Sequence, residues 1–130
     1  MHSNNAVTIE KFALSHFIKG FEKKYKQHWD VTLDAIKASL ERIDALLETN
    51  KATMICEFDG VQIIKTEFRV NNTKESAKTS GNRCIVLWHV KRQQVSVLLV
   101  YSKTDIPGKN ETATWKNLIR ANYPDYADLV

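Results

Sequence analysis

Lys65, Glu67 and Arg69 stand at every second position of one β-patterned stretch, so an extended backbone turns all three to the same side. Arg83 opens a later apolar stretch, and Lys103 follows the one after that. With those strands side by side, four cations and one carboxylate converge on one patch. That set suits a phosphodiester. Cleavage of RNA by its own 2′-hydroxyl needs a base for that hydroxyl and an acid for the departing 5′-oxygen. It also needs cations around the charge that builds on phosphorus. Spacing alone does not divide those roles, and an ordinary solvent-facing strand also alternates Lys, Glu and Arg.

Other chemistries find no footing. There is no G-x-S-x-G elbow, phosphate-binding loop, H-E-x-x-H or dinucleotide fingerprint. His2, His16, His28 and His89 are scattered, and only His89 lies near the basic segment. Cys56 and Cys84 sit inside the apolar runs MICEF and RCIVLW and read as reduced core residues. No Cys or His pair has zinc spacing, so neither a metal nor a cofactor is expected.

Charge is unevenly distributed. Residues 65–92 hold Lys65, Arg69, Lys74, Lys78, Arg83, Lys91 and Arg92 against Glu67 and Glu75, a net +5 in a chain whose total is +4. A basic stripe on an otherwise near-neutral body is the footprint of a polyanion binder.

The elements that must position these residues follow from periodicity. Val7 to Leu14 reads as a first strand, and Ser15 as the cap of a helix from His16 to Lys26 with Phe17, Phe21 and Tyr25 on one face. Asp30 reads as the cap of a helix from Val31 to Thr49, striped by Leu33, Ile36, Leu40, Ile43 and Leu47. The period then changes to two. Strands over Ala52–Phe58 and Val61–Val70 flank Asp59-Gly60, the chemistry of a type I′ hairpin. A polar loop, Asn71 to Asn82, precedes strands over Arg83–Val90 and Val95–Ser102. A last helix resumes near Glu111, buries Trp115, Leu118 and Ile119, and stops before Pro124.

The order β-α-α-β-β-β-β-α predicts an α+β fold: a small antiparallel-type sheet, two N-terminal helices packed on one face, and a C-terminal helix. At 130 residues, 43% hydrophobic and 26% charged, the chain reads as one domain, 1–130, with a core of its own. Val95–Tyr101 is too short to cross a membrane, and the first residues show no secretory h-region, so the expected location is the cytoplasm.

Four segments carry a family resemblance: HFIKGFEKKYK (16–26), GVQIIKTEFRV (60–70), GNRCIVLWHV (81–90) and VSVLLVYSKTD (95–105). Together they resemble the RelE/ParE superfamily of bacterial toxin–antitoxin toxins, over roughly residues 7–105. The resemblance implies a RelE-like fold and a toxin that enters the ribosomal decoding site and cuts translated mRNA as a metal-independent endoribonuclease. It also implies a cognate antitoxin that wraps the toxin and masks its basic surface. Position by position, Arg83 matches the family's Gly-x-Arg arginine, which contacts the scissile phosphate. Lys65 and Arg69 match basic residues of the preceding strand, and Lys103 the basic position after the last. Two features depart from the pattern. The Asn71–Gly81 loop is longer than the family's tight connection. The terminal segment ANYPDYADLV offers Tyr123 and Tyr126 where many relatives carry a catalytic histidine or tyrosine. A gyrase-directed toxin of the same fold, and a catalytically inert RNA-binding module, stay open as alternatives.

Overall fold

A computed structural model describes residues 4–70, 81–102 and 110–130, and across them the change of hydrophobic period becomes a change from helix to strand. Strand β1 (Ala6–Ile9) leads into an N-terminal helix over 11–25, then a long helix, Gln27–Glu41, and a short one, Ile43–Leu46. Strands β2 (Ala52–Phe58), β3 (Val61–Phe68), β4 (Asn82–His89) and β5 (Gln94–Tyr101) follow. A C-terminal helix, Glu111–Asn122, and a 3₁₀ segment, Pro124–Leu129, complete the chain. The five strands form one sheet in the order β1-β5-β4-β3-β2. Among the described residues only β1 runs parallel to its neighbour; the other three pairings are antiparallel. At the β2–β3 turn, Asp59 and Gly60 take φ values of 52° and 80°, the two positive angles a type I′ hairpin requires.

Strand parity assigns the faces. Ile64, Thr66 and Phe68 of β3 are buried on one side, where the Phe68 ring lies 5.9 Å from Phe21 and 6.0 Å from Trp29. Phe21 and Trp29 stack at 4.6 Å, so the N-terminal and long helices close that face with aromatic rings. Ile63, Lys65 and Glu67 point the other way, and there the C-terminal helix lies across the sheet, with Trp115 and Ile119 fully buried. The helices therefore cover both faces, and the face bearing Lys65 belongs to the C-terminal helix.

Several boundaries differ from the sequence reading. β1 ends at Ile9 rather than Leu14, because it pairs only with Gln94–Val97. The helix then begins at Lys11, and Ser15 sits inside it as part of a π-helical segment, Leu14–Ile18, instead of capping it. Asp30 lies in the first turn of a helix that starts at Gln27, where its charge still suits the dipole, but it is not the cap. Lys26, with φ 53° and ψ −124°, makes the break between the two helices. The long helix stops at Glu41 because Arg42 leaves helical geometry, and Ile43 resumes the buried stripe in a separate short helix. The 3₁₀ segment has no counterpart in the sequence reading.

Cys56 and Cys84 are free thiols. They lie on β2 and β4 with β3 between them, which puts them beyond disulfide reach. No helix among the described residues is long and apolar enough to cross a membrane. Among those residues no group of three or more His, Cys, Asp or Glu is placed to hold a metal ion. Lys103, Lys74, Lys78 and the loop positions 71–80 lie outside the described residues.

Candidate functional site

The antiparallel register fixes the geometry of the site. Glu67 on β3 stands opposite Arg83 on β4, and Arg83 opposite Tyr101 on β5. Opposed residues share a face, so the three form a row across strands spaced about 5 Å apart. Lys65 lies on that face two residues along β3, about 7 Å from Glu67. The C-terminal helix contributes Glu111 from its first turn, where exposed backbone N–H groups favour a carboxylate. Glu111 Oε2 lies 3.9 Å from Lys65 Nζ and accepts a 3.0 Å hydrogen bond from the Tyr101 hydroxyl.

Arg83 and Glu67 make the inner pair. Arg83 Nη2 is 3.8 Å from Glu67 Oε1, and Nη1 donates to the Asn82 carbonyl at 3.0 Å. Their side chains are 15% and 14% exposed, against 26% and 27% for Lys65 and Glu111. Arg83 Nε and Glu67 Oε2 are buried and have no hydrogen-bond partner among the described residues. The inner pair is long and half satisfied, which leaves a guanidinium donor and a carboxylate acceptor for an incoming group. Tyr101 is fully buried. Burial, and then the charge and hydrogen bond of Glu111, hold its phenol far above the ordinary value of 10, with Arg83 pulling weakly the other way. Tyr101 is thus a hydrogen-bond donor at physiological pH and not a base. Lys65 and Arg83 can stabilise charge on phosphorus, and Glu67 can accept a proton.

Arg69 stands apart. It follows the end of β3, is exposed, and lies about 13 Å along the strand from Lys65. With Thr32, Ile36, Lys51 and Phe68 it lines a cleft of about 470 Å³ between the long helix and the sheet. Glu67 and Cys84 line the same cleft, so it reaches the Glu67 end of the row. Of the four residues singled out from the sequence, the fold sets Lys65 and Arg83 on neighbouring strands of one face, leaves Arg69 just past the end of β3 on a cleft it shares with Glu67, and leaves Lys103 outside the described residues.

The sheet order and this site invite comparison with solved folds. A chain of the archaeal RelE–RelB complex from Pyrococcus horikoshii OT3 superposes with a TM-score of 0.55, over 77% of this chain and 96% of that one, at 13% sequence identity. The fold is RelE-like. Neither a family model nor a curated protein sequence matches the chain. The likeness therefore lives in the backbone, and the side chains of the site must be read on their own terms.

Tyr101 and Glu111 were invisible to periodicity. Tyr101 closes an apolar strand and reads as core; Glu111 reads as a helix start. The available signal was register: a tyrosine at the end of β5 pairs with an arginine at the start of β4. Tyr123 and Tyr126 lie toward the far end of the C-terminal helix, about 18 Å from Glu111 by helical rise. The Tyr123 hydroxyl donates to the Leu98 carbonyl at 2.6 Å, and its ring packs on Phe12 and Tyr126 at 5.9 and 6.2 Å. Burial first, then the Glu10 charge, raises both phenols. They fasten the chain end to the sheet.

Proposed function

We propose that the chain is the toxin of a toxin–antitoxin pair and acts as a ribosome-dependent endoribonuclease on mRNA. The observation that carries this reading is the Glu67–Arg83–Tyr101 row with Lys65 beside it, set on a RelE-like sheet. In the reaction, the 2′-oxygen attacks the adjacent phosphorus and the bond from phosphorus to the 5′-oxygen breaks. The 2′-proton passes to the Glu67 carboxylate, and the 5′-oxygen takes a proton from the Lys65 ammonium. Arg83 and Lys65 stabilise the charge on the phosphoryl oxygens, and none of these roles calls for a metal. Arg69 and Lys103 belong to the proposal as flanking phosphate contacts. A cognate antitoxin that covers this face is the partner the reading requires.

Induction of the chain in a bacterium is expected to arrest growth with cleaved mRNA, and Arg83→Ala to abolish cleavage in a protein that still folds. Intact mRNA with an SOS response would transfer the reading to a gyrase-directed toxin of the same fold. One observation favours that second reading: both Lys65 and Arg83 already face carboxylates, which weakens a phosphate clamp. Harmless overexpression would remove both.

A further inference from the structure

We propose that Glu111 is a positioning residue of this site, holding Lys65 beside the Glu67–Arg83–Tyr101 row while its own charge competes with the substrate phosphate. The inference rests on the nuclease reading above and goes further in bringing the C-terminal helix into the chemistry.

The argument begins with Lys65. A lysine on a strand carries a flexible four-carbon stem, and a side chain about one-quarter exposed has open solvent to point into. What holds its ammonium over the sheet is Glu111 Oε2 at 3.9 Å. Glu111 is itself held by the hydroxyl of Tyr101, a fully buried residue of β5 that cannot swing. The chain of contacts Tyr101–Glu111–Lys65 therefore ties β5 to β3 through the helix. A carboxylate serving only its own helix end would bond first-turn N–H groups. Here the same oxygen turns outward to two sheet residues, and Asn110 makes no side-chain cap either.

The arrangement has opposing consequences. Lys65 with Glu111, and Arg83 with Glu67, are near-neutral pairs, so an arriving phosphate must displace a carboxylate from each cation. Glu111 therefore weakens ground-state binding while fixing the position that matters when charge develops on phosphorus. A residue that only stabilised the helix would move affinity and rate together, through the amount of folded protein.

Glu111→Gln keeps the size and an acceptor for Tyr101 but removes the charge. Its kcat on programmed ribosomes is expected to fall roughly ten- to a hundredfold. Its binding to 2′-O-methyl RNA, which lacks the attacking hydroxyl, should hold or tighten, with a salt-dependence slope steeper by about 0.7 as Lys65 is freed for one more phosphate. Glu111→Asp should restore the wild-type slope and part of the rate. Tyr101→Phe should lower kcat without steepening the slope. Parallel loss of rate and affinity in step with a lowered Tm would overturn the proposal, as would an unchanged kcat in Glu111→Gln. If the wild type cleaves nothing yet the slope steepens in Glu111→Gln, the nuclease reading falls while the placement of Glu111 on the polyanion surface stands. If the wild type cleaves and Glu111→Gln alters neither quantity, only this proposal falls.

Discussion

Arg83 and Glu67 form the more buried of the two ion pairs at the site. Both are largely buried, meet at 3.8 Å, and leave Nε and Oε2 without a partner among the described residues. Taking Arg83 away strands a carboxylate in a low-dielectric place, a far worse arrangement than taking away both. Arg83→Ala is expected to cost about 2 kcal/mol in stability, and the Glu67→Ala/Arg83→Ala double variant less than the sum of the singles by about 1–2 kcal/mol. Urea unfolding of the four proteins measures this coupling; strictly additive costs would show that the pair does not interact in the fold. The same cycle serves the functional question. A double variant that folds well and cleaves nothing separates loss of chemistry from loss of structure more cleanly than Arg83→Ala, which also carries the cost of the stranded Glu67 carboxylate.

Among the elements, periodicity exposed what was buried and missed the break at Arg42. The Leu33–Ile36–Leu40–Ile43 stripe is real, but it runs through Arg42, a single non-helical residue, because Ile43 re-enters the core as if the helix had continued. The β2–β3 turn was legible, since Asp-Gly both stops a strand and supplies two positive φ angles, although β3 ends at Phe68 rather than Val70 and β2 carries a bulge between Met54 and Cys56. The first helix was expected to end at Lys26 and breaks there, but the backbone angles were not legible. A lysine at φ 53° and ψ −124° occupies a region suited to glycine, and nothing in a polar run of lysines announces it. That strain is a local cost, held in place by Phe21 and Trp29 stacking across the break. Lys26→Gly is accordingly expected to stabilise the protein by about 1 kcal/mol, read as a rise in Tm with no change in the far-ultraviolet signature. A fall in Tm would mean that the side chain of Lys26 contributes more than its backbone angle costs.

At the scale of the molecule, counting charge along the sequence overstated what the site presents. The +5 of residues 65–92, which already counts Glu67 against Arg83, is further answered in three dimensions, since Lys65 meets Glu111 from 46 positions further on. Long-range pairing of this kind depends on sheet order, which no local pattern encodes. The same sheet buries titratable groups whose protons are locked in by the fold. Cys84 on β4 is fully buried, and desolvation pushes its thiol from 9.0 up to about 12. Tyr101 on β5, and Tyr123 against β5, are raised in the same direction, chiefly by burial. For each, the native state keeps a proton that the unfolded chain releases first. Below about pH 9 both states hold it, and these groups contribute their full stability. As pH rises through the window from 9 toward 12, the unfolded chain binds fewer protons than the native one, and stability falls by up to about 1.4 kcal/mol per pH unit for each group. Urea unfolding should therefore show little dependence on these groups between pH 7 and 9 and a steepening loss above it. Cys84→Ala should make the alkaline slope shallower by the share of one proton. A slope unchanged in Cys84→Ala would mean that the thiol already ionises in the folded sheet, and that β4 admits water where the packing excludes it.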